Sequence, residues 1–213
     1  MSSVPSLPTS REDNLKPSQL DFPVVGIGAS AGGIPALQTF FKAMPADCGM
    51  AFVVVLHLSP KHASNLAGVL QGVTSMNVVV PEEATPIERD TVYVIAPNRM
   101  LAMNDSYLSV NTLERAHGRQ ITIDLFFRTL AVVHRERAFA VVLSGTGADG
   151  SVGITRIKEE GGVTLAQQPQ EAEFDGMPRA AIATGVVDWV LPVAEMPGKL
   201  LDLWANARAI ELP

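Results

Sequence analysis

Covalent and metallic frameworks have little to build on in this sequence. A single cysteine, Cys48, excludes an internal disulfide and any cysteine-based metal cage, and agrees with a reducing compartment. It lies in the turn PADCGM and reads as a small buried or half-buried side chain rather than a reactive thiol. No pair among the four histidines shows metal-site spacing with carboxylate support, so no metal is expected. Lys and Arg form no cluster, and a net charge of −6 with a pI near 5.2 argues against general affinity for nucleic acid or anionic lipid. The longest apolar runs, such as AFVVVL, fall far short of the roughly 20 residues of a membrane span. The N-terminus also lacks the basic and apolar segments of a signal peptide. A soluble, cytoplasmic protein with no direct membrane insertion is therefore expected.

What is present fits one α/β core: 213 residues, 47% hydrophobic and 18% charged. Residues 1–20 combine Ser, Pro and charge without a hydrophobic period and read as a flexible tail or linker, which leaves residues 21–210 as the domain. The domain opens with FPVVGIGASAGGIPALQTFF. Val24, Val25 and Ile27 form the apolar run of a strand covered on both faces, and Ile34, Leu37, Phe40, Phe41 and Met44 follow the period of one helix face. Between them Gly28-Ala29-Ser30-Ala31-Gly32 is G-x-S-x-G, a pattern that lifts a serine hydroxyl clear of the backbone near a helix start.

The same residues, as Gly26-x-Gly28-x-x-Ala31, also fit the dinucleotide fingerprint, in which a pyrophosphate sits on the helix N-terminus. From the turn alone, a nucleophile, a cofactor cradle and a structural glycine turn stand level. A dinucleotide site wants an Asp or Glu about 20 residues further on, at the end of the second strand. The second strand, AFVVVLHL, carries His57 instead, which favours the nucleophile and no cofactor.

Along the chain, a helix beginning near Ser64 turns Leu66, Val69 and Leu70 inward. Strands NVVVP and TVYVIAP follow, then a hairpin around Asn104-Asp105 that reads as an antiparallel appendage. A helix opening at Thr122-Ile-Asp124 carries Ile123, Phe126, Phe127, Leu130 and Ala131 on one face, with Asp124 suited by charge to the first turn. AFAVVLSGTGADG is a strand ending in a glycine-rich loop that holds Asp149. A short helix, the strand VTLAQ, a helix with Pro178 in its first turn, the strand VVDWVL and a helix through Leu200, Leu203 and Trp204 close the chain. This alternation predicts a doubly wound, mostly parallel sheet with helices on both faces and ligands outside the carboxyl ends of its strands.

Ser30, His57 and Asp149 each follow a strand end and should emerge on that edge. A serine hydroxyl attacks an acyl carbon only with a base in reach and a third group to orient that base. By position alone His57 is as readily a core histidine, and Asp149 a cap on the helix after Gly150. His62, His117 and His134 read as solvated surface histidines. Glycines 145, 147 and 150 could cradle a phosphate, but the G-K-[ST] ending of a P-loop is missing.

Three separated segments, VVGIGASAGG, VVVLHLSP and VVLSGTGADGSVG, together with FDGMPRAAIATG and YVIAPN, resemble the CheB-type chemotaxis protein-glutamate methylesterases over residues 22 to about 192. The resemblance implies a nucleophile at Ser30, a base at His57 and an orienting carboxylate at Asp149, with an oxyanion hole from the backbone N–H groups of Ala31 and Thr146. It implies hydrolysis of glutamate methyl esters, and glutamine deamidation, on methyl-accepting chemotaxis receptors. Ala31, Thr146 and Leu56 depart from the Thr, Met and Gln usual in the family, which bears on substrate preference rather than on the triad. Family members often carry an N-terminal receiver domain; twenty residues are too few for one, and this together with the wording HLSP resembles esterase domains found alone or fused to a methyltransferase partner. The alternative is a non-catalytic docking or regulatory module of the same fold and, behind it, a Rossmann cofactor domain.

Overall fold

The computed structural model describes residues 15–56, 65–96, 99–112 and 121–210. In chain order the elements are β1 (Val24–Ala29), α1 (Gly33–Ala43), β2 (Ala51–Leu56), α2 (Leu66–Gln71), β3 (Asn77–Val79), β4 (Ala84–Pro86), β5 (Thr91–Val94), β6 (Arg99–Asn104), β7 (Tyr107–Thr112), α3 (Thr122–His134), β8 (Ala138–Val142), α4 (Ser151–Glu159), β9 (Val163–Gln167), α5 (Gly176–Ala183), β10 (Trp189–Leu191) and α6 (Met196–Ile210). Seven strands form one sheet in the order β10-β9-β8-β1-β2-β5-β3. Every pairing in it is parallel. The predicted doubly wound architecture is therefore the observed one.

From β1 the chain crosses through α1 to β2, whereas from β8 on the other side of β1 it crosses through α4 to β9. Right-handed crossovers running in opposite directions place their helices on opposite faces. Accordingly α1 touches α2 and α6, while α4 touches α3 and α5. β1, β2 and β8 are buried along their whole length. On the first face Phe40 and Phe41 meet Phe52 of β2 edge to face, with centroids 6.0 and 5.5 Å apart, geometry that adds to simple area burial.

On the second face α3 lies against β1. A Cβ added at Gly28 would stand 2.5 Å from Ile123 Cγ2, and one at Gly26 would stand 2.9 Å from Phe127 Cε1. Both glycines are strand residues whose missing side chains admit the helix, so they do not form the turn that a dinucleotide fingerprint requires.

The appendage is a hairpin as predicted, β6 against β7 with Asn104 opposite Tyr107 and Asp105 at φ 53°. A third strand, β4, completes a small antiparallel sheet in the order β4-β7-β6. β4 escapes sequence reading because three residues ending in Pro86 show no alternation, which suits an edge. Tyr93 ties the two sheets together, its hydroxyl donating to the Pro86 carbonyl at 2.9 Å and accepting from the Glu88 N–H at 2.8 Å. The cap of α2 is Asn65, whose Oδ1 accepts from the Gly68 N–H at 3.0 Å; Ser64, near which this helix is expected to begin, lies outside the described residues. Of residues 1–20, only 15–20 are described. Lys16 exchanges hydrogen bonds with Asn104 and Asp105, and the Ser18 N–H donates to the Val133 carbonyl.

His134 corrects an expectation. It is buried at 4% exposure in the last turn of α3, with Nε2 2.8 Å from the Phe22 carbonyl just before β1. Burial pushes its pKa down to about 4, against the raising effect of the Phe22 bond. A depressed pKa contributes stability above the unfolded value, near 6.5, that is lost as pH falls through about 4. The swing amounts to at most about 3 kcal/mol. Urea midpoints measured from pH 7 to pH 4 should therefore fall more steeply for the wild type than for His134→Gln; equal slopes would remove His134 from the acid response.

Candidate active site

The strand order reverses between β1 and β8, and in open parallel sheets the crevice outside the carboxyl ends at such a point is where ligands bind. Ser30 directly follows β1, and the loop holding Ser144, Gly145, Thr146 and Asp149 follows β8. The Ser30 N–H donates to the Ser144 carbonyl at 2.9 Å, and the Ser30 carbonyl accepts from the Gly33 N–H at 2.9 Å. A Cβ on Gly145 would stand 3.0 Å from that of Ser30. The serine is thus held between its own turn and the β8 loop.

The backbone differs from a strained nucleophile elbow. The left-handed residue of the G-x-S-x-G turn is Gly32, at φ 69°, and α1 begins at Gly33. Gly28, the other glycine of the pattern, belongs to the strand and serves the packing of α3. Ser30 is half-buried, as are Ala31 and Asp149, and Thr146 is exposed.

Ser144 is a residue that sequence reasoning passed over. It is 1% exposed, and its Oγ donates to the Ala31 carbonyl at 2.9 Å and accepts from the Phe174 N–H at 3.0 Å. Its own N–H donates to Gln167 Oε1 at 2.7 Å. The Gly145 N–H donates to the Phe174 carbonyl at 2.9 Å, and the Met177 N–H to the Gly145 carbonyl at 2.8 Å. Through its hydroxyl and its N–H together, this one residue therefore joins the ends of β1, β8 and β9 to the segment before α5. The only sequence signal was that Ser144 and Phe174 stand inside VVLSGTGADG and FDGMP.

Asp149 caps a helix, but not the one that follows it. Its Oδ2 accepts from the Ile123 N–H at 3.1 Å and its Oδ1 from the Asp124 N–H at 2.9 Å, so it sits on the mouth of α3. Asp124 returns the arrangement: its Oδ1 accepts from the Gly150 N–H at 2.9 Å and the Gly153 N–H at 2.7 Å, at the mouth of α4. Asp124 is buried, whereas a first-turn acid chosen for its charge alone would stay in water. Burial pushes its carboxyl upward, opposed by N–H bonds from Gly153, Gly150 and Val152 and by a side-chain hydrogen bond with Asp149.

His57, with His62 and His117, lies outside the described residues. The residue before it, Leu56, pairs with Ala29, the residue before Ser30. Among the described residues no group of three or more His, Cys, Asp and Glu side chains could hold a metal ion, and no helix is long and apolar enough to cross a membrane.

Fold and crevice define an α/β domain with a serine turn and a carboxylate loop at its switch point. The model of the CheB methylesterase family matches residues 25–200, and the chain belongs to that family. A Leptospira interrogans protein, named provisionally as a protein-glutamate methylesterase/protein-glutamine glutaminase, is 32% identical over 88% of this chain and 97% of its own length. The protein-glutamate methylesterase/protein-glutamine glutaminase of Pyrococcus horikoshii is 33% identical over 90% of this chain but 53% of its own. The catalytic domain of the Thermotoga maritima CheB methylesterase superposes with a TM-score of 0.78 at 26% identity, over 86% of this chain and all of that domain.

Ser144→Ala should lower stability by about 1–3 kcal/mol, because it strands the Phe174 N–H and the Ala31 carbonyl. A urea midpoint equal to that of the wild type would show that the hydroxyl is dispensable.

Proposed function

We propose that the chain is a protein-glutamate methylesterase, with protein-glutamine glutaminase activity, acting on the methyl-accepting helices of chemotaxis receptors in the cytoplasm. The observation that carries this reading is the hydrogen-bonded junction of the Ser30 turn with the Asp149-bearing loop at the switch point, in a chain of the CheB methylesterase family.

In the proposed reaction His57 takes the proton of Ser30 as Oγ attacks the ester carbonyl carbon. The negative charge that develops on oxygen is met by the N–H groups of Ala31 and Thr146, close to the start of α1, where the helix dipole favours it. His57 returns the proton to the departing methoxide, and methanol leaves an acyl-serine. Water, activated by the same imidazole, then releases glutamate and restores the hydroxyl; with glutamine as substrate the leaving group is ammonia. Asp149 orients His57 and stabilises the imidazolium. Its oxygens already accept two backbone N–H bonds, and a carboxylate has about four acceptor positions, so an imidazole can be accommodated as well. Acceptors fixed by helix N–H groups cannot swing away during turnover. Partnership with a methyltransferase, and the division at residue 21 between tail and domain, belong to the same proposal.

Methanol release from methyl-labelled receptor membranes tests it. Ser30→Ala should abolish release, and Asp149→Asn should cost up to about four decades in kcat if the carboxylate sets the imidazole tautomer. Release by Ser30→Ala at the wild-type rate would exclude the serine mechanism.

A further inference from the structure

Asp124 is buried, charged when ionised, and has no part in the reaction just described. Burying a carboxyl is costly unless it is well hydrogen-bonded, and a solvent-exposed first-turn acid would serve α3 at lower cost. The N–H groups it accepts belong to the residues that open the neighbouring helix. Asp124 Oδ1 holds the Gly150 and Gly153 N–H groups, while its own N–H and that of Ile123 hold Asp149. Gly150 is the residue after Asp149, so the backbone on one side of Asp149 is pinned by Asp124 and its side chain by the N–H of the same residue. The helices can approach this closely because Gly153 has no side chain; a Cβ there would meet Phe127 Cβ at 2.6 Å and Asp124 Cα at 3.0 Å. Gly150 itself takes φ 99°, a conformation that the clamp holds in place at the start of α4.

We propose that Asp124 is a positioning residue for Asp149: the two carboxylates form a reciprocal clamp across the N-termini of α3 and α4 that fixes where the Asp149 carboxylate points. The proposal rests on the triad reading of the site. A side chain that only stabilised the fold would lower the folded fraction equally whether or not residue 149 is a carboxylate. A positioning residue acts on the rate through Asp149 and loses its effect when Asp149 no longer contributes.

The experiment is a double-mutant cycle on the full chain with Asp124→Asn, Asp149→Asn and both together. kcat and KM are read from methanol release by methyl-labelled receptor membranes, and stability from urea midpoints. Asp124→Asn should lower kcat by roughly 10- to 100-fold, as a displaced group of this kind does, with KM within about twofold. In the Asp149→Asn background the same substitution should change kcat by less than about twofold while still lowering the midpoint. An equal fold-loss in both backgrounds, or an unchanged kcat in Asp124→Asn, would overturn the clamp. An Asp149→Asn single variant with wild-type kcat would instead overturn the triad reading beneath it. Asp124→Ser, which keeps a capping oxygen, replaces Asp124→Asn if the latter does not fold.

Discussion

The close approach of α3 to β1 governs the geometry of this domain. Gly26 and Gly28 leave no room for even a methyl group beneath Ile123 and Phe127, so the helix lies almost on the strand. That contact sets the height of the α3 N-terminus above the sheet edge where Ser30 leaves the same strand. The N–H groups of that N-terminus then hold Asp149, which arrives from β8. A larger residue at position 28 would displace the helix and, with it, the anchor of the carboxylate.

Electrostatics reinforce this packing. Two helix mouths, each a concentration of unsatisfied N–H groups, face two carboxylates that come from each other's segments. The exchange satisfies donors that neither helix caps with a side chain of its own. Burial still raises the Asp124 carboxyl, so its contribution to stability is fully present below the usual carboxylate range and is lost as pH rises through the raised value. His134, at the far end of the same helix, has the opposite sign. The helix that organises the site thus carries buried titratable groups near both ends, and their responses to acid oppose one another.

Ser144 plays the corresponding part on the other side of the crevice. Its hydroxyl and N–H draw in Ala31, Phe174 and Gln167, so the turn that presents Ser30 is supported by a segment more than a hundred residues downstream in the chain; the Ser144–Ala31 bond alone spans 113 residues. The serine turn is braced by one buried hydroxyl and the carboxylate loop by one buried acid, so both candidate groups of the described site are held by hydrogen bonds from distant segments of the chain. Preorganised support of this kind is what a mechanism that depends on aiming an imidazole and an oxyanion hole needs.

Much of this was legible in one dimension. Buried strands declare themselves by short apolar runs, and α1 and α3 by their three-four spacing. Asn104-Asp105 marked the hairpin, and Ser30 and Asp149 stood out because each follows a strand in a glycine-rich turn. These are local signals, set by φ/ψ preference and by the period of burial within about a dozen residues. What lay beyond them is long-range. β4 forms only because β7 offers an edge, His134 is buried only because α3 runs beneath Phe22, and Asp149 caps α3 rather than its own helix. Asp124 exchanged the expected role of a solvated first-turn acid for buried bonds at the mouth of α4, and Gly26 and Gly28 of an apparent dinucleotide fingerprint became the floor for a helix. Sequence by itself determined which residues could form strands, turns and helices and which side chains could do chemistry. The pairing of those side chains across the sheet was decided only by tertiary packing, because a hydrogen bond between distant segments depends on where two elements come to rest and leaves no period in the chain.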